Sequence, residues 1–363
     1  MTSPNHRAPG ARLSRSRSLA SPCPWEARAP ANGLRSKFAG IAIAACGLLL
    51  GNAPAHALTI VPTFGSSVSA ANQAVINNSL SFYEHAFADP ITVNIGFNVA
   101  TGASYAGQSQ SSTWYAPYQR NVGVSYTGLM QNDALTYGNT IEQTAYDHLS
   151  DGNSARNVVG TTANFRALGC TSASCSGQLA VDGSTGGNLD GVVSLNSNYV
   201  DATVIQHEIN EILGIGGSGS VLNIMSANGL TTPPSAPGIG TYINPLDLFR
   251  YSAAYTSSLT TDGSATAYFS IDGGVTNIVA FNQNSSGDYG DWASGSSCNV
   301  QNWQVCSSSL SLDLSSPEVT ALQAIGYDAV APVPAPASIL LFASGLFGIG
   351  AAGRRRRRLI GER

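Results

Sequence analysis

The sequence predicts an α+β fold, with a mixed sheet and one site-bearing helix in its first part and a β-rich second part. Three observations predict it: a strand–helix–strand opening, a capped amphipathic helix around His207, and a change to short aromatic and β-branched runs after a Pro- and Gly-rich stretch. Leu58 to Pro62 reads as the first strand. Ser69 to Phe87 places apolar residues near helical spacing and reads as the first helix, and Ile91 to Phe97 alternates as a second strand. Leu189 to Leu195, ahead of the turn residues Asn196-Ser197-Asn198, reads as a further strand. Asp201 to Gly214 carries the strongest helix signals, because Asp201 can cap the N-terminus and Gly214 can end it in a left-handed conformation. Ile205, Ile209 and Ile212 then share one face, and His207 and Glu211 share roughly the opposite one. After Pro233 to Pro245 come short Tyr, Phe, Ile and Val runs around Asp272-Gly273-Gly274 and Gly287-Asp288, and Ser316 to Tyr327 reads as a final helix. Ser, Gly, Asn and Thr dominate and helix formers are scarce, which favours many short strands joined by polar turns.

The two ends lie outside this fold. Arg35 and Lys37 precede the apolar run Phe38 to Leu50 and the small-x-small site Ala55-His56-Ala57, so residues 1–57 are expected to be an N-terminal extension and a signal peptide cleaved after Ala57. The run is short for a membrane span and no stop-transfer pattern follows. At the other end, Val333-Pro334-Ala335-Pro336 leads into the apolar, Gly-rich stretch Ala337 to Gly353 and the basic cluster Arg354 to Arg358. In that order of parts, residues 331–363 resemble the PEP-CTERM sorting tail of Gram-negative bacteria, with Ala335 where that motif usually has Glu. The resemblance implies an exosortase-type sorting enzyme as partner, transient membrane insertion through the tail, and a place in the envelope or outside the cell. The plain alternative is an anchor helix with its Arg cluster held inside.

Between the ends, residues 58–330 hold four basic side chains, Arg120, Arg156, Arg166 and Arg250, and no Lys, against nineteen Asp and Glu. A surface of that sign repels phosphate backbones, so no nucleic-acid partner is expected, and cations are the natural ligands. Four cysteines fall in two close pairs, Cys170 with Cys175 and Cys298 with Cys306. In an oxidising compartment they are expected to form two local disulfides, although four cysteines allow three pairings. About 270 residues can bury one large core or two small ones; the expected division is 58–240 and 241–330.

The chemistry is expected on the helix from Asp201. A metallopeptidase needs two ligands one helical turn apart and a carboxylate beside them to take a proton from water. His207 and Glu211 supply the ligands and Glu208 the general base, with Glu211 standing where a second His is usual. Taken alone, His-Glu-x-x-Glu also fits a solvated helix face. The string His207-Glu208-x-x-Glu211-x-Leu213-Gly214 resembles the end of the metzincin helix, and Met225 stands where a matrixin places its Met-turn, whereas the third metzincin His would fall at Gly217. More closely, His207 to Gly214, Asp247-Leu-Phe-Arg-Tyr251, Tyr268 to Gly274 and Gly287 to Trp292 resemble a family of PEP-CTERM-tailed metalloproteases. That resemblance implies a zincin-like fold, Zn²⁺, and hydrolysis of a protein or peptide substrate. With only His85, His148 and His207 in the mature chain, Asp247, downstream of the helix after a loop, is the expected third ligand, and Tyr251 the expected oxyanion stabiliser. One His with two carboxylates also suits other divalent ions. Asp182 to Gly191 and the pair Asp288 and Asp291 offer oxygens for Ca²⁺, but lack the EF-hand spacing and read better as turns. The same scaffold without catalysis, as a matrix or surface protein, is the alternative function.

Overall fold

The computed structural model describes residues 58–330, apart from 120–123, 154, 172–179, 183–187, 218–219, 234–241, 296 and 308. The fold is mixed α+β and opens as the pattern predicts. Strand β1 (Thr59–Phe64) runs through helix α1 (Ala70–Ala86) into β2 (Thr92–Ala100), and the two strands pair in parallel. Ser69 caps α1 through its hydroxyl, and Ile76, Leu80 and Tyr83 turn inward. Val93, Ile95 and Phe97 are buried on alternate positions of β2, as a half-covered strand requires.

The first sheet has the order β1-β2-β7-β3, where β7 is Gly191–Asn196 and β3 is Gly107–Ser111. β2 and β7 are parallel, and β3 is antiparallel to β7 and ends the sheet. A second sheet is built from β4 (Thr113–Pro117), β5 (Asn157–Thr161), β6 (Ala180–Asp182) and β8 (Tyr242–Ile243) in the order β6-β4-β5-β8. Because β8 pairs with β5, residues beyond 240 complete a sheet begun before it, and the buried core runs without a break from Leu58 to Tyr327.

Helices α2 (Tyr126–Tyr137) and α3 (Thr140–Asp147) form a short pair, followed by α4 (Thr162–Ala167). The helix expected from Asp201 is α5 (Ala202–Leu213): Asp201 accepts the Val204 amide at its cap, and Gly214 follows at φ 116°. Ile205, Ile209 and Ile212 are fully buried, and Tyr83 of α1 donates its hydroxyl to the Gln206 carbonyl and to Asn210 Oδ1. Met225 is buried in a short helix, α6 (Val221–Ala227), not in a turn; the Met-turn expectation is corrected, because Ser220 caps this segment and its amides find helical partners.

The C-terminal part is less regular than its aromatic runs suggest. Its sheet, β10-β9-β11-β12, is made of β9 (Arg250–Ala253) and the two-residue strands β10 (Thr256–Ser257), β11 (Tyr268–Phe269) and β12 (Val279–Ala280). Side chains stand in for ladder bonds. Asp272 accepts from Ser270, Thr276 Oγ1 and the Thr276 amide. Arg250, fully buried, donates to the Tyr289 and Asn282 carbonyls and to Gln283 Oε1, with its guanidinium 4.2 Å over the Phe281 ring. Helix α7 (Pro317–Ala324) closes the described chain.

Cys298 and Cys306 are joined as expected. Cys170 is disulfide-bonded, and Cys175 lies outside the described residues. Among the described residues no helix is long and apolar enough to cross a membrane; the signal segment and the apolar tail stretch lie outside them, as do residues 183–187 of the loop from Asp182 to Gly191.

Candidate metal centre

Helix α5 presents His207 and Glu211 on consecutive turns toward the edge strand β3. His207 Nε2 lies 3.3 Å from Glu211 Oε1 and 3.8 Å from Asp291 Oδ2. One ligand atom of each residue falls within 4.8 Å of the others, a spacing that fits a single cation. Each side chain is also gripped from behind. His207 Nδ1 lies 3.0 Å from the Val300 carbonyl, to which it donates, so Nε2 is the nitrogen that faces the carboxylates. Ser109 of β3 donates to Glu211 Oε2, leaving Oε1 toward His207. The Gly217 amide and Gln301 Nε2 donate to Asp291 Oδ1, leaving Oδ2 toward His207. Gln301 is itself held by Asn210, which donates to its Oε1, and by Glu318, which accepts its amide. Such outer partners aim ligands and set their tautomers.

The electrostatics point the same way. Burial alone would lower the pKa of His207, but the Asp291 and Glu211 carboxylates overcome it and hold the imidazole well above its usual value. Burial pushes Asp291 up to about 7. Burial, then the charge of Glu211, holds Glu208 well above the ordinary carboxylate range. One imidazole and three carboxyl groups therefore share a buried, proton-retaining cluster.

Glu208 is 4 % exposed, and its Oε2 has no hydrogen-bond partner. Its room is made by Gly107 of β3, where any side chain would collide with the Glu208 carboxylate. His207, Glu208, Glu211 and Asp291 all line a cavity of about 570 Å³, and a second cavity of about 270 Å³ shares Glu211 and Ser109 with it. Strand β3 therefore runs past both openings.

Two sequence expectations are corrected by this geometry. The carboxylate that joins His207 and Glu211 is that of Asp291, one of the two residues read as turn or Ca²⁺ positions. Asp247 instead accepts from Ser220 Oγ, the Val221 amide and the Asn244 amide, so its carboxylate ties a loop to the start of α6. Tyr251 does not line the cavity; its hydroxyl donates to the His148 carbonyl. Of the other oxygens considered for Ca²⁺, Asp288 accepts from Asn223, and Asp190 pairs with Arg166 and accepts from Thr162 and the Asn94 amide.

The comparisons bear on the tail. Residues 332–358 match the PEP-CTERM protein-sorting motif. This is an exported protein of the Gram-negative envelope. The motif is the substrate of exosortase-type sorting enzymes, which makes such an enzyme a partner of this chain. No curated protein and no solved structure matches the chain.

Proposed function

We propose that this exported protein is a metal-dependent peptidase. His207, Glu211 and Asp291 hold a divalent cation, Zn²⁺ being the first expectation, and Glu208 is the general base. The observation that carries the reading is the convergence of Nε2, Oε1 and Oδ2 on one point, with every opposite atom already engaged. A bound cation would supply Lewis acidity toward a carbonyl oxygen and toward water. The chain's own groups do the rest. Glu208, short of a partner at Oε2, is placed to receive the proton of an attacking water and to return it to the leaving amine. Burial and the charge of Glu211 raise the affinity of Glu208 for protons. An edge strand offers unpaired amides and carbonyls, so an extended polypeptide can add to β3 and cross the site between the two cavities.

One observation favours a non-catalytic envelope protein: Gln301 Nε2 lies 3.3 Å from His207 Nε2 and can satisfy it without a metal. The two readings separate in one experiment. Metal content is measured by mass spectrometry on the oxidised protein and on His207→Ala, and hydrolysis of an unfolded polypeptide is followed for the protein and for Glu208→Gln. The peptidase reading expects about one metal per chain, lost in His207→Ala, and cleavage that falls by roughly 10²- to 10⁴-fold in Glu208→Gln with the metal retained. Metal-free protein, or cleavage that survives Glu208→Gln, overturns it.

A further inference from the structure

A third cavity, of about 520 Å³, lies in the C-terminal part and has no role in the reading above. Every polar side chain lining it is an amide, a hydroxyl or an indole, and none is charged. That stands out in a chain whose residues 58–330 hold nineteen acidic side chains. Its floor is fixed by the fold. Gln283 donates to the Thr260 and Asp262 carbonyls and accepts from Arg250, while Asn282 donates to the Asn284 and Asp288 carbonyls. Around that floor stand the exposed side chains of Asn284, Ser285 and Gln304. Ser294 also lines the cavity. Trp303 forms the wall. Its indole is half-buried and seated on the backbone of Gly287, where any side chain would collide with the ring.

We infer that this cavity binds an uncharged saccharide. A sugar ring offers a flat array of C–H groups to an indole, and hydroxyls that donate and accept at once. Amides and hydroxyls answer both roles, whereas a carboxylate only accepts and a guanidinium only donates. An anionic glycan or a phosphate would find no cation here. A peptide is disfavoured because no strand residue lines the cavity and hence no ladder edge is on offer. The site shares only the Trp303 wall, and neighbouring backbone, with the cavity at His207. The inference therefore stands apart from the peptidase reading.

The test applies the full, oxidised chain to an array of neutral hexose and N-acetylhexosamine oligomers, uronic-acid oligomers and unstructured peptides, and then titrates any hit by calorimetry. The expected result is saturable binding of a neutral oligomer, weakened about tenfold by Trp303→Ala and measurably by Gln304→Ala, and unchanged in His207→Ala. Gln304→Ala with Ser285→Ala, both at exposed positions, carries the test should Trp303→Ala fail to fold. Binding confined to uronic-acid oligomers or peptides, no binding of any neutral oligomer, or binding indifferent to all three cavity substitutions overturns the proposal.

Discussion

Two buried groups of acids in this molecule make opposite use of the same side chains. At the edge of the first sheet, Glu208, Glu211 and Asp291 surround His207 and open on a cavity, and Ser109, Gly217 and Gln301 donate to the oxygens of Glu211 and Asp291 that lie opposite those nearest His207. Among α1, α2, α3 and α7, the side chains of Asp89, Asp133, Glu142 and Asp328 are gathered with 6 % exposure or less and interact with one another. No histidine joins this second group, and its ligand atoms do not converge as the first set does. Buried acids are common to both; convergence on an imidazole and an opening belong to one. What makes a candidate cation site here is therefore the ring of donors that aims the acids at one imidazole, since burial raises the proton affinity of acids in both groups. Burial raises Asp133 to about 8 and Asp328 to about 6, and lifts Asp89 and Glu142 well above their ordinary range.

The comparison can be broken most directly at His207. His207→Ala is expected to remove the bound metal altogether, measured as metal per chain, with the melting temperature of the metal-free protein little changed; metal that persists would move the site to the other group. Next in size is the pH dependence of the acid-only group. Its folded carboxyls bind protons more tightly than the unfolded chain does, so stability falls as pH rises from about 4 through about 6 for Asp328 and about 8 for Asp133. The slope is about 1.4 kcal/mol per pH unit for each proton retained. Denaturant unfolding of the metal-free protein across that range checks it, and Asp133→Asn should flatten the curve and stabilise the protein near pH 8. Gln301→Ala sharpens the contrast by removing only an outer donor: metal affinity should weaken by about 10- to 100-fold in a competition titration. The smallest effect is expected at Asp247. Asp247→Asn should cost about 1–2 kcal/mol of stability through lost loop bonds and leave metal content as it was.

Much of the scaffold could be read from local pattern. The β1–α1–β2 opening and α5 follow from alternation, helical spacing and caps, and α5 begins and ends on the residues that signal it. His207, Glu208 and Glu211 were legible because one helical turn joins them. Asp291 was not, since it reaches His207 through a fold that returns some ninety residues later, as the His207–Val300 contact at a separation of 93 shows. Its surroundings, Gly287 to Trp292, look like any polar turn. Asp247 misled because an acid heading a loop motif serves equally as a ligand or a cap, and here it caps. Helix α2 escaped notice because its inward face includes Thr127 and Asp133 beside Tyr126 and Met130, which erases the apolar stripe. Strand β3, Gly-Gln-Ser-Gln-Ser, has no apolar residue at all. It is a strand because β7 pairs with it, and it borders the site for the same reason.

The disulfide between Cys298 and Cys306 closes the segment that carries Val300, Gln301 and Trp303. These are the groups that hold His207 from behind and wall two cavities. The surroundings of His207 are thus completed by a stretch whose closure needs an oxidant. Arrival in an oxidising compartment is then the step that closes the stretch behind His207.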